Sequence, residues 1–311
     1  MVIGKNMTEL ITDLKSLELE TLKNLKNSKA SNTLRAYQAD FKDFSAFCSM
    51  NGLSSMPTDH KILSLYLTHL SANAKFSTLK RRVASISVIH KMKGYYLDTK
   101  HPLIMENLHG IKRVKGSIQK SKKPLLINDL KKIVNAIDEA NQHKNKKIRD
   151  RALILIGFSG GFRRSELVNI EHDDVEFVNE GVKIFIKRSK TDQSGEGMIK
   201  AIPYFDNKLF CPVTSLKKWM DKSAIESGKI FDISDKSVAL IIKKYASLSG
   251  LDANNYGGHS LRSGFATSTA ESGAEERNIM AMTGHKSAEM VRRYIKEANL
   301  FKNNALNKIK I

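Results

Sequence analysis

The stretch Gly161-Phe162-Arg163-Arg164-Ser165-Glu166-Leu167 sets two arginines directly behind a glycine pair, Gly160-Gly161, where a helix over Arg164 to Ile170 is expected to start. Four more polar stretches follow it along the chain: Arg188-Ser189-Lys190-Thr191-Asp192-Gln193, then Gly258-His259-Ser260-Leu261-Arg262, then Gly284-His285, and finally Tyr294. His259 and Arg262 also follow a glycine pair, Gly257-Gly258. Both sets are therefore expected near helix N-termini, where free N–H groups and the helix dipole favour anions. A spacing of three puts His259 and Arg262 on one helical face. His285 and Tyr294 are nine residues apart, about two and a half turns, and would point to opposite sides of one straight helix. His285 is accordingly expected in the loop after Gly284, and Tyr294 on the helix beyond it.

Two arginines, a lysine and two histidines around a tyrosine suit an anionic transition state, above all that of a phosphodiester. When an oxygen nucleophile attacks phosphorus, charge gathers on the non-bridging oxygens, and fixed donors stabilise it without a metal. Arginine grips two oxygens through a planar fork and keeps its charge, so Arg163 and Arg262 are expected to clamp the phosphate. Tyrosine is a covalent nucleophile, but an ordinary pKa of about 10 means that it needs cations or a base beside it. His285 and the arginines are the candidates.

Together these stretches resemble the tyrosine recombinase (phage integrase) family, in its simple two-domain form. The likeness spans roughly residues 155 to 295 in the family's order. It implies a nucleophilic Tyr294 that forms a 3′-phosphotyrosyl bond and releases a 5′-hydroxyl. It further implies that Arg163, Arg262 and His285 bind the scissile phosphate, that Lys190 protonates the leaving oxygen, and that His259 assists proton transfer. Glu166 fills the family's acidic position and supports the site from behind. The implied enzyme is a site-specific recombinase or integrase acting on double-stranded DNA, self-associating into a tetramer on paired sites and using no cofactor.

Each element also has a plain structural reading. His259 alone reads as a helix cap or surface histidine, Tyr294 as a half-buried core tyrosine, and Arg163-Arg164 beside Glu166 as a solvated ion-pair face. It is their joint occurrence that favours chemistry. Lys190 competes with Lys183, Lys187, Arg188 and Lys200 in one strand-rich region; Val182 to Arg188 alternates like a strand, Ser194-Gly195-Glu196-Gly197 breaks it, and Met198 to Pro203 resumes, which puts Lys190 at a hairpin tip. No close His pairing and no near cysteines suggest a metal site. Two other functions stay open: a type IB topoisomerase-like nicking and closing enzyme, and a catalytically silent DNA-binding regulator.

Composition agrees with a polyanion partner. Among 311 residues, 52 Lys and Arg outweigh 32 Asp and Glu, for a formal charge of +20. Cys48 and Cys211 stand too far apart to suggest a disulfide framework, and the apolar run Ala152 to Phe158 is too short to span a bilayer. A reducing cytoplasmic setting in association with the nucleoid is expected, with no membrane partner.

The expected fold is mainly α with a small antiparallel β-sheet (α+β): a helical DNA-binding bundle over residues 1–110, similar to the family's core-binding domain, a basic linker over 111–123, and a catalytic domain over 124–311. In the bundle, helices are expected over residues 7–28 (Leu10, Leu14, Leu17, Leu25), from Ser31 or Asn32 to Asn51 (Leu34, Tyr37, Phe41, Phe44, Cys48), from Asp59 to Leu70, and after Ser77 (Leu79, Val83, Ile86, Ile89). Lys80, Arg81 and Arg82 project from the last of these as candidate DNA contacts. The linker carries six basic residues and no acid, and Lys112, Arg113, Lys120, Lys122 and Lys123 are its candidate phosphate contacts. Beyond Pro124, helices are expected at 127–141, 147–159, 164–170, 212–226, 236–248, 260–272, 275–283 and 287–295, with three short strands between Val175 and Ile202. A weakly amphipathic docking helix, 297–311, carries Phe301, Ala305 and Ile309.

Overall fold

The computed structural model describes residues 31–116, 121–187, 196–299, 301 and 305–309, together with Leu14, Ser16, Leu17 and Glu20. The chain divides into two units, Met1–Gln119 and Lys120–Ile311. The first is helical and the second combines helices with one three-stranded antiparallel sheet.

In the first unit, α1 (Ser31–Met50), α2 (His60–Ser71), α3 (Phe76–Met92) and α4 (Pro102–Lys115) form a bundle. The Asp59 carboxylate accepts the Ile62 N–H at 2.7 Å and starts α2. Phe44 and Cys48 from α1 meet Leu63, Tyr66 and Leu67 from α2 and Leu79, Val83 and Ile86 from α3 in one apolar core. Of the helix expected over residues 7–28, Leu14, Ser16, Leu17 and Glu20 are helical and exposed, while Leu10 and Leu25 lie outside the described residues.

The boundary expected at residue 110 is overrun. Helix α4 carries on to Lys115, because Pro102 fits its first turn, His101 Nδ1 accepts the Leu103 N–H at 3.2 Å, and Ile104, Leu108 and the partly buried Ile111 hold one face in the core. Lys112 and Arg113 are exposed on its last turn. Residues 117–120, which include Lys120, lie outside the described residues.

The second unit is built around α6 (Lys144–Ser159), buried from Ala152 through Ser159. A helix apolar on every side belongs inside, and α6 packs against α5 (Ile127–Glu139), α8 (Pro212–Ser223) and α10 (Ser260–Glu271). Helix α7 (Arg164–Leu167) is a single turn, shorter than the expected 164–170. After it the chain straightens, since the Ile170 carbonyl accepts from Ile230 N–H at 3.0 Å and His172 N–H donates to the Gly228 carbonyl at 2.7 Å. Strands β1 (Val175–Val178), β2 (Gly181–Ile186) and β3 (Met198–Pro203) lie in that order, with Val182 opposite Ile202 and Ile184 opposite Lys200. Alternation sends Lys200 and Ile202 inward. Helices α9 (Asp235–Leu248), α10, α11 (Glu276–Thr283) and α12 (Ala288–Ala298) complete the unit.

Of the docking helix expected over 297–311, the described part differs. Helix α12 ends at Ala298, Ala305–Lys308 forms one 3-10 turn, and Phe301 and Ile309 are 86% and 59% exposed. With Phe301, Leu306 and Ile309 exposed, so short a segment gains little from helical propensity.

Candidate active site

The Gly160-Gly161 turn closes α6 and aims Arg163. Gly161 adopts φ +56°, where a side chain is strained, and a Cβ there would sit 3.0 Å from the Phe265 ring. Arg163 then caps α7, and the Glu166 carboxylate accepts both its backbone N–H at 2.9 Å and its guanidinium at 2.6 Å. Glu166 is 2% and Arg163 18% exposed in their side chains. A buried carboxylate thus fixes the direction of a half-open guanidinium.

Arg262 reaches the same place from α10. It is 1% exposed and donates through Nη1 to the Gly161 carbonyl at 2.9 Å, while Nη2 is buried with no hydrogen-bond partner. Burial, then Arg163, push its pKa down to about 10, with Glu166 opposing. Two arginines close enough for one to lower the other's pKa, with Arg262 Nη2 unmet, make a site that an anion would relieve. Helix α10 is seated against the segment around Leu125: Leu125 N–H donates to the Ser260 carbonyl at 2.9 Å, and a Cβ on Gly264 would fall 2.1 Å from the Leu125 oxygen. Gly258 lets Arg164 cross, since a Cβ there would lie 1.9 Å from its Cδ.

His259 caps α10 and is solvent-exposed, with its Nε2 3.4 Å from the Tyr294 hydroxyl. Desolvation by its surroundings, then Arg262 and Arg163, lower its pKa from the ordinary value. Tyr294 lies on α12, 4% exposed, packed with Ala266, Ala270, Ile279 and Val291. Gly284 ends α11 in the left-handed region at φ +62°, and His285 follows in the loop before α12. His285 Nδ1 lies 2.7 Å from Thr283 Oγ1, whose hydroxyl donates to the Ile279 carbonyl at 2.6 Å. That contact fixes the orientation of the imidazole ring. Burial first, then Arg262 and Arg163, hold His285 down to about 4. Its ring centroid is 6.1 Å from that of Tyr294.

Arg163, Glu166, His259, Arg262, His285 and Tyr294 are thereby brought into one site by α7, α10, the loop after α11, and α12. Lys190 lies outside the described residues; it belongs to the connection between β2 and β3. Sequence reasoning passed over two residues. Lys200 was one basic residue among several, although the inward parity it shares with Ile202 on β3 would have singled it out. Thr283, which orients His285, carried no signal of its own.

The candidate DNA contacts separate. Lys80, Arg81, Lys112, Arg113, Lys122 and Lys123 are exposed. Arg82, 15% exposed, is instead held inside the bundle by Asp40 at 3.3 Å and Asp43 at 3.2 Å. Arg81 also pairs with Asp40, and Lys122 Nζ donates to the Asn254 carbonyl.

The phage integrase family profile matches residues 124–300. The chain is 42% identical over 278 residues to the integrase/recombinase xerD homolog of Selenomonas ruminantium, covering 85% of this chain and 81% of that protein. Among solved structures, XerH site-specific recombinase in a post-cleavage complex with palindromic difH substrate aligns with TM-score 0.66 at 18% identity, over 88% of this chain and 80% of that one. A lambda integrase tetramer bound to a Holliday junction aligns with TM-score 0.56 at 18% identity, over 94% of this chain and 79% of that one. The fold is that of tyrosine recombinase catalytic domains. The chain belongs to the phage integrase family of tyrosine recombinases. Among the described residues no helix is long and apolar enough to cross a membrane.

Proposed function

We propose that this protein is a site-specific DNA recombinase that cleaves and rejoins strands through a covalent 3′-phosphotyrosyl intermediate. The observation that carries it is the unpartnered, buried Nη2 of Arg262 in a site that also holds Arg163, His285 and the Tyr294 hydroxyl. Arg163, Arg262 and His285 hold the scissile phosphate. Tyr294 passes its proton to His259 Nε2 as Oη bonds to phosphorus, the bond from phosphorus to the 5′ oxygen breaks, and Lys190 protonates that departing oxygen, which leaves as a 5′-hydroxyl. A 5′-hydroxyl from the partner duplex then attacks the phosphotyrosine, giving its proton to Lys190, and restores the diester as the Tyr294 oxygen leaves and regains its proton from His259. Donors fixed in advance need no rearrangement as charge develops.

Strand exchange requires protomers to pair, and a tetramer on two DNA sites is the assembly proposed. A cleft of about 740 Å³ in the second unit, lined among others by Phe158, Ile202, Phe205, Phe210 and Phe265, suits a neighbour's Phe301, Leu306 and Ile309, which are exposed in the chain by itself. Ser159 and Ser268 line it with buried hydroxyls lacking partners, which the backbone of a docked tail would satisfy. An enzyme with this substrate works at the nucleoid.

A suicide duplex nicked beside the cleavage point tests the chemistry. Wild-type protein should trap a covalent adduct, and Tyr294→Phe, which keeps the ring packed, should bind the DNA but form none. Adduct persisting in Tyr294→Phe would move the nucleophile elsewhere. Exchange between two duplexes, rather than relaxation of one, separates the recombinase from a nicking and closing enzyme.

A further inference from the structure

Lys200 is the only lysine among the described residues that is fully buried, at 0% exposure. Its Nζ donates to the Gly160 carbonyl at 2.6 Å and to the Met282 carbonyl, and lies 4.7 Å over the Phe162 ring. Gly160 opens the turn that aims Arg163 and whose Gly161 carbonyl receives Arg262. Met282 is the penultimate residue of α11, directly before Thr283, Gly284 and His285. A buried ammonium is costly unless something requires its charge.

We propose that Lys200 is a positioning residue for strand cleavage: its ammonium ties the turn that carries Arg163 to the helix end that carries His285, and so sets the width of the phosphate site. The proposal rests on the reading of that site as a DNA strand-transfer centre. It deepens it by assigning the separation of the two sides to a residue on the β-sheet that does not touch the phosphate. The groups that face Lys200 are Glu166 from α7, Arg163 before it, Arg262 from α10 and His285 after α11. Burial, with Arg262 and Arg163, pushes the Lys200 pKa down to about 7, and Glu166 opposes this. Its two carbonyl acceptors and the Phe162 face also favour the charged form. Donation to two carbonyls occupies the group that a proton donor would need free.

Full-length Lys200→Met and Lys200→Arg test this in single-turnover cleavage of the suicide duplex, alongside half-site affinity. K200M should cleave at least tenfold more slowly with affinity within twofold of wild type, and K200R should recover to within threefold. A duplex with sulfur in place of the bridging 5′ oxygen, whose thiolate leaves without a proton, should leave the K200M deficit intact. Recovery of K200M on that duplex would make Lys200 the proton donor and overturn the positioning role. So would cleavage by K200M at the wild-type rate, or a fall confined to burst amplitude with an unchanged rate constant, which marks simple loss of folded protein. If K200M is insoluble, Lys200→Gln is judged by the same outcomes. Absence of adduct from the wild-type protein counts against the strand-transfer reading itself.

Discussion

Arg262 and Gly161, 101 residues apart in the chain, meet through a 2.9 Å hydrogen bond from the guanidinium Nη1 to the backbone carbonyl. The bond uses one arm of a planar fork to hold the arginine turn and leaves the other arm, Nη2, buried and unmatched. One side chain thereby serves both the fold and the ligand.

Arg262→Ala is expected to lower single-turnover cleavage by two or more orders of magnitude, in line with about 3 kcal/mol for one preorganised donor. It should also reduce unfolding free energy by about 1–3 kcal/mol, since the Gly161 carbonyl loses its buried partner. Near-normal cleavage rates would argue that the phosphate is held elsewhere.

Protonation of His285 makes the second unit sensitive to acid. Its folded pKa of about 4 lies below the ordinary 6.5. Between those values the unfolded chain binds a proton that the folded one does not, so stability falls as pH drops through that window. Urea denaturation at neutral pH and near pH 4.5 should show wild type losing more stability than His285→Gln. Equal losses would mean that His285 titrates normally.

Gly264→Ala should disturb the site without touching it. Its Cβ would meet the Leu125 oxygen at 2.1 Å, and backbone cannot swing aside as a side chain would, so α10 must move and carry His259 and Arg262 with it. Overpacking of this kind costs about 1–3 kcal/mol, and cleavage should fall more than half-site affinity. Unchanged melting temperature and cleavage would show that α10 shifts freely.

A chain ending near residue 297 removes Phe301, Leu306 and Ile309. It should bind one half-site as the full chain does but lose cooperative filling of paired sites and strand exchange. Gel-shift titrations that show equal cooperativity for both chains would sink the idea that the tail docks on a neighbour.

Much of this molecule was legible before its tertiary structure. Glycine pairs ahead of Arg163 and His259, the apolar stripe of Phe44 and Cys48, and the strand alternation of Val182 to Ile186 are all effects between residues a few positions apart. Such local effects carry helix starts, strand parity and the separation of His285 from Tyr294 into different elements. The end of α4 at Lys115, the single turn of α7 and the exposed tail were not legible in the same way. The first two are settled by a partner distant in sequence, the bundle core beneath Ile111 and the Ile230 N–H that captures Ile170, while the tail leaves Phe301 exposed.

The sequence by itself determined which groups could meet a phosphate, because charge, fork geometry and nucleophilicity belong to residue types. Only the tertiary structure decided which of those groups converge and what their surroundings do to them. It withdrew Arg82 into ion pairs with Asp40 and Asp43, left Arg262 Nη2 unmatched, and buried Lys200 between Gly160 and Met282. The reason is physical: burial and hydrogen-bond satisfaction are properties of three-dimensional neighbours, and those neighbours lie dozens to more than a hundred residues away.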